Sequence, residues 1–126
     1  MLPTVLAVDD EVAVLRLIRQ ALKRAGYEVI TARDGKEALA LLERERPVLI
    51  ISDVLMPGIG GLELVRLLKE RKETRDIPVI MLTSLTQFRD MQRGYEFGAL
   101  LYLTKPFTVE ALQQAVADVL SGKDFE

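Results

Sequence analysis

The chain has 126 residues, 49% apolar and 29% charged, with 17 basic against 19 acidic side chains and a net charge of −2. That length suits one domain with a sizeable core, and the slight negative charge excludes strong attraction to nucleic acid or an anionic membrane. The chain has no cysteine, which excludes disulfide and thiol chemistry and fits a reducing compartment. It also has no histidine, so any metal has to be held by oxygen, which favours magnesium, calcium or manganese.

The start, Met1-Leu2-Pro3-Thr4, lacks the basic and apolar stretches of a secretory signal, and no apolar run is long enough to span a bilayer. The expected location is therefore cytoplasmic. Val5-Leu6-Ala7-Val8 reads as a first strand and ends in Asp9-Asp10-Glu11. Leu15, Ile18, Ala21, Leu22 and Ala25 follow at helical spacing, and Gly26 stops the helix. Glu28–Ala32 is the second strand. Asp34 with Glu37 forms a capping box that opens a helix through Leu42.

The run Val48-Leu49-Ile50-Ile51-Ser52 is the third strand, closed by Asp53 and followed by the turn Val54-Leu55-Met56-Pro57-Gly58. Gly61 precedes a helix carrying Leu62, Val65 and Leu68. Val79-Ile80-Met81-Leu82 is the fourth strand and ends in Thr83-Ser84. Phe88, Met91 and Tyr95 mark a fourth helix, ended by Gly98. Leu100-Leu101-Tyr102-Leu103 is the fifth strand and ends in Thr104-Lys105-Pro106. Thr108 caps a fifth helix with Leu112, Ala115, Val116 and Val119 facing inward.

The strand runs do not alternate with polar residues, so both of their faces are expected to be covered. Five strands alternating with five helices make an α/β domain, a doubly wound (βα)5 three-layer sandwich on a parallel sheet. Residues 1–121 are taken as this domain, and residues 122–126 as a tail or the start of a linker.

Ligands of open α/β sheets bind beyond the carboxyl ends of the strands. Asp9, Asp10, Asp53, Thr83 and Lys105 all fall at such ends. Clustered carboxylates raise each other's pKa unless a cation intervenes. Magnesium usually takes one or two protein carboxylates and a phosphate oxygen. Lys105 and Thr83 add a positive charge and a hydroxyl donor, the groups that neutralise a phosphoryl group. Each feature alone has a plainer reading. Asp9-Asp10 and Thr83-Ser84 are ordinary helix caps, Lys105-Pro106 a solvated lysine in a turn, and Met56-Pro57-Gly58 a turn. Those plainer readings do not account for all of them falling at successive strand exits.

Val8-Asp9-Asp10-Glu11, Asp53-Val54-Leu55-Met56-Pro57-Gly58, Thr83-Ser84 and Tyr102-Leu103-Thr104-Lys105-Pro106-Phe107 resemble the receiver domain of bacterial two-component response regulators, the CheY-like superfamily. The match is in order and spans nearly the whole chain. The resemblance implies a flavodoxin-like five-stranded parallel sheet of order 2-1-3-4-5. It implies that Asp53 is the phosphoacceptor, taking a phosphoryl group from a sensor histidine kinase or histidine phosphotransfer protein. Asp10 and Asp53 would bind Mg2+ directly, with the backbone carbonyl of Leu55, and Asp9 through water. Thr83 and Lys105 would bind the phosphoryl group, Pro106 would follow a cis peptide bond from Lys105, and Tyr102 would be an aromatic switch coupled to Thr83. The protein would be a self-phosphorylating and self-dephosphorylating switch that controls a partner or output domain, and not an enzyme on other substrates. It would contact neither nucleic acid nor membrane itself.

Two features depart from common family patterns. Leu55 and Leu85 occupy the positions two residues after Asp53 and Thr83, where the family tunes phosphoryl lifetime. Neither can orient a water by hydrogen bonding, so slow self-dephosphorylation is expected. Leu100 and Leu101 replace acidic residues common in the family, and Val109–Leu120 contains no Lys or Arg. A homodimer remains possible, but not one held by the salt bridges of the winged-helix transcription-factor branch. Leu100 shares a side of its strand with Tyr102. It is either covered by a helix or part of an apolar patch where an output partner binds.

Three other classes fit the sequence less well. Magnesium-dependent phosphatases of the haloacid dehalogenase type need two aspartates one residue apart after the first strand, and Asp9-Asp10-Glu11 lacks the second. A binding module that keeps only the fold would not need the full set of Asp10, Asp53, Thr83 and Lys105. Nucleotide binding lacks its loop, because Gly58-Ile59-Gly60-Gly61 has the wrong spacing.

Overall fold

The computed structural model describes residues 2–84 and 98–122. The expected fourth helix at Phe88, Met91 and Tyr95, the position of Leu85, and residues 123–126 of the tail lie outside the described residues. Five strands form one parallel sheet in the order β2-β1-β3-β4-β5. They are β1 (Thr4–Val8), β2 (Glu28–Ala32), β3 (Leu49–Asp53), β4 (Val79–Thr83) and β5 (Leu101–Thr104). The described helices are α1 (Val12–Arg24), α2 (Gly35–Leu41), α3 (Gly61–Glu70) and a C-terminal helix, Val109–Leu120. This is the doubly wound sandwich that the sequence implies.

Strand alternation divides the core into two layers. Val5, Ala7, Leu49, Ile51, Ile80 and Leu82 pack against α1 and the C-terminal helix. Leu6, Val8, Ile50, Val79 and Met81 pack on the other face, against residues of α2 and α3. Every residue of β3 and β4 is buried, which is why Leu49–Ile51 and Val79–Leu82 are continuous apolar runs. Helix α1 buries Leu15, Ile18, Ala21 and Leu22 at helical spacing. Ala25 does not join them, because it is exposed and is the helix C-cap. Gly26 follows with φ of 95°, and the Tyr27 N–H donates to the carbonyl of Leu22, closing the helix in a Schellman turn.

Element limits differ from the apolar runs by about one residue. Val48 is exposed and precedes β3, whereas Asp53 is its last residue, in register with Leu82. Thr83 and Thr104 likewise end β4 and β5 and pair with each other. Leu100 precedes β5, although its N–H still donates to the carbonyl of Val79. Gly61 begins α3 rather than preceding it, with Gly60 as N-cap. The Asp34 and Thr108 side chains cap their helices, accepting from the N–H groups of Glu37 and Ala111, and of the expected capping box this Asp34 half is the part that forms.

Candidate functional site at the carboxyl edge of the sheet

All five strands run the same way, so their carboxyl ends share one edge. Strands β1 and β3 are neighbours with Val8 opposite Ser52, so Asp9 and Asp53 follow side by side. Asp9 is fully buried, and its Oδ1 accepts the N–H of Glu11 at 2.9 Å. Asp53 is 6% exposed. The hydroxyl of Ser52 donates to the Asp53 carbonyl at 3.1 Å. Asp10 is exposed. Carboxylate oxygens of Asp9, Asp10 and Asp53 lie within 4.8 Å of one another.

Lys105 reaches this cluster from the loop after β5. Its Nζ lies 2.8 Å from Oδ2 of Asp9, 3.4 Å from Oδ1 of Asp53 and 3.4 Å from Oε1 of Glu11. The Lys105–Pro106 peptide bond is cis. The N–H of Lys105 donates to the carbonyl of Thr83 at 2.7 Å, which ties the loop to the end of β4. Thr83 is buried, and its hydroxyl donates to the carbonyl of Ser84. An open cavity of about 350 Å³ lies over the cluster, lined by Asp10, Glu11, Asp53, Leu55, Ser84 and Lys105. Leu55 is 60% exposed on its rim.

Glu11 and Ser84 belong to motifs read from the sequence but carry no site function there, yet both line the cavity. Glu11 directly follows the Asp9-Asp10 pair, but no local pattern ties it to Lys105, 94 residues away. Tyr102 does not line the cavity. It is half-buried, opposite Met81 in register, and packs on the α2–α3 side of the core. Leu100 is 38% exposed.

The electrostatics are strained without a cation. Burial, then the charge of Asp9, pushes Asp53 up to about 6 despite Lys105. Burial also raises Asp9, opposed by Lys105 and by the backbone N–H of Glu11. Burial works to lower Lys105, but its pairing with Asp9, Asp53 and Glu11 outweighs this and holds it above its usual value. Oδ2 of Asp9 is buried, with the Lys105 ammonium 2.8 Å away. Three carboxylates this close, two of them buried and offset by a single ammonium among the described residues, fit a hard divalent cation held by oxygen.

Gly61 is what lets α3 start this close to Asp53. A Cβ there would fall on the Asp53 carbonyl oxygen and lie 2.7 Å from Cε of Met81. The Gly61 N–H donates to the carbonyl of Val54, so the turn after Asp53 and the start of α3 form one unit.

Comparison with known proteins gives a consistent result. Residues 5–117 match the family described as response regulator receiver domain. The chain is 40% identical over 116 residues to the alkaline phosphatase synthesis transcriptional regulatory protein PhoP of Bacillus subtilis, covering 92% of this chain and 48% of that protein. It is 41% identical over 117 residues to the phosphate regulon transcriptional regulatory protein PhoB of Pseudomonas aeruginosa, covering 93% and 51%. The chain spans about half the length of these curated relatives. Among solved structures, the chemotaxis response regulator CheY4 of Vibrio cholerae superposes with a TM-score of 0.89 at 39% identity, covering 94% of this chain and 99% of that one. The signal receiver domain of a signal transduction histidine kinase from Syntrophus aciditrophicus gives 0.88 at 41% identity, covering 98% and 95%.

Proposed function

The chain belongs to the response regulator receiver domain family of two-component signalling, and on that premise we propose that it accepts a phosphoryl group on Asp53 from a phosphohistidine of a partner protein. One observation carries this assignment above the others. Asp53 is a buried carboxylate beside both the Lys105 ammonium and two further carboxylates.

In the proposed reaction an Asp53 carboxylate oxygen attacks phosphorus and the phosphorus–nitrogen bond of the donor breaks. The donor imidazole leaves with the bond's electron pair and takes up a proton, and an acyl phosphate remains on Asp53. Hydrolysis by water returns the carboxylate and releases inorganic phosphate. Asp10 and Asp53 directly, Asp9 through water and the Leu55 carbonyl would hold Mg2+, which when bound supplies charge neutralisation at the phosphoryl oxygens. Asp53 reacts as its ionised form, which burial disfavours and a bound cation favours. Lys105 pairs with the phosphoryl group in place of a carboxylate. Thr83 donates its hydroxyl to a phosphoryl oxygen, exchanging its bond to the Ser84 carbonyl.

Receiver domains of this family are switches. We assign the same role here, with no turnover of other substrates, through a shift between two conformations linked by Thr83 and Tyr102. Residues 1–121 are the proposed receiver unit. The proposed partners are a sensor histidine kinase or phosphotransfer protein and an output domain or partner at the face near Leu100 and Tyr102, with cytoplasmic action. No helix among the described residues is long and apolar enough to cross a membrane.

The test is phosphoryl transfer from a phosphorylated histidine phosphotransfer protein, followed by chemical trapping of the acyl phosphate and peptide mapping. Label on the peptide containing Asp53, lost in Asp53→Asn, supports the assignment. Label on another carboxylate overturns it.

A further inference from the structure

Two cavities meet at one ion pair. The anionic cavity over Asp53 and a groove of about 350 Å³ lined by Val14, Leu17, Pro106 and Phe107 share two residues, Glu11 and Lys105. The Glu11–Lys105 pair is thus the wall between them, at 3.4 Å.

The main chain of Glu11 is pinned. Its N–H donates to Asp9 Oδ1, and its carbonyl accepts from the N–H groups of Val14 and Leu15. It is the N-cap residue of α1, but its side chain makes no capping bond. The carboxylate therefore does nothing for the helix start and is spent on Lys105 instead. It also stands apart from the trio of Asp9, Asp10 and Asp53 that suits a cation. Two of the three carboxylates around Lys105 are fixed by burial, whereas the Glu11 side chain is 63% exposed and free to swing away.

We propose that Glu11 gates phosphoryl entry: its carboxylate holds the Lys105 ammonium at the wall between cavity and groove, and must release it to the arriving phosphoryl group. This rests on Asp53 being the phosphoacceptor. The gate works by competition for one ammonium and by repulsion of an anionic donor, and salt screens both. Glu11 is a positioning residue here, acting through Lys105.

The experiment measures phosphoryl incorporation from acetyl phosphate at saturating Mg2+ across donor concentration. It compares the full wild-type chain, Glu11→Gln and Glu11→Asp, with Mg2+ affinity measured by calorimetry. Glu11→Gln is expected to raise incorporation roughly two- to fivefold at low salt, the range an exposed ion pair supports. The gain should appear as a lower KM for the donor, shrink at high salt and leave Mg2+ affinity unchanged, while Glu11→Asp stays near wild type. Slower incorporation or weaker Mg2+ binding in Glu11→Gln would place Glu11 in the service of the cation and overturn the gate. Equal rates would remove the gate and leave the Asp53 assignment standing. A wild type that takes up no phosphoryl group would end both.

Discussion

Lys105 and Asp9 form an ion pair at 2.8 Å although β5 and β1 are separated in the sheet by β4 and β3. The lysine spans the carboxyl ends of the inner strands and places its ammonium against a fully buried carboxylate. In the absence of a cation, this one charge offsets the buried carboxylates. The same ammonium is the group assigned to the phosphoryl oxygens, and the proposed reaction would break this resting-state contact.

Replacing Lys105 by Met leaves the fully buried Asp9 without its charge partner. Metal-free stability is expected to fall by about 1–3 kcal/mol, below the cost of breaking a fully buried pair because Lys105 is partly exposed. Mg2+ should restore more stability to Lys105→Met than it adds to wild type. Urea unfolding with and without Mg2+ checks this. Equal metal-free stability of the two proteins would contradict the structural role given to the pair.

Asp53 makes metal-free stability depend on pH. Its folded-state pKa, about 6, lies above the ordinary 3.8, so folding favours the protonated form. The contribution is fully present below about pH 4 and is lost as pH rises through about 6. Asp9 shifts in the same direction. The expected loss from Asp53 is on the order of 2 kcal/mol between about pH 4 and about pH 7. Asp53→Asn should flatten that part of the profile. Mg2+ affinity should rise over the same interval, because the cation binds the ionised form. Unfolding curves in chelator across this range, with calorimetry at its two ends, are the measurements.

The strand pattern and the acidic cluster were readable because burial on both faces forces continuous apolar runs, and Asp9, Asp10, Asp53 and Lys105 interrupt the ends of those runs. The exact strand ends were less readable. Asp53 and Thr83 continue the hydrogen-bond ladder beyond the apolar residues, and Val48 is apolar yet exposed. Hydrophobicity marks burial, and the ladder is set by neighbouring strands. Glu11 was hidden for a different reason. Its partner is Lys105, 94 residues away, and no local pattern joins them. The tight fit at Gly61 was hidden too, because a glycine before a helix reads as an ordinary start while the carbonyl it nearly touches belongs to the strand before it.

Gly61→Ala tests that fit. The added methyl group has to displace the Asp53 carbonyl, and the Met81 side chain has to give way as well. Overpacking of this kind costs about 1–3 kcal/mol. Phosphoryl uptake should fall along with stability, because the backbone of Asp53 itself is displaced. Denaturant unfolding and donor-dependent uptake, measured on the same protein, check the two effects. Stability and uptake both at wild-type level would show that the turn relaxes freely.

Leu55 stands 60% exposed at the cavity rim and offers no hydrogen bond to a water approaching Asp53. Self-dephosphorylation is therefore expected to be slow, and Leu55→Asn to accelerate it severalfold by supplying a polar group there. Decay of the acyl phosphate after removal of the donor measures both. Loss within seconds in wild type, or no acceleration in Leu55→Asn, would contradict this reading.

The most direct measurement is intact mass after incubation with acetyl phosphate, with and without Mg2+, for wild type and Asp53→Asn. One added phosphoryl group on wild type, dependent on Mg2+ and absent from Asp53→Asn, is the expected result. No addition to wild type, or the same addition to Asp53→Asn, would contradict the assignment of Asp53 as the phosphoacceptor.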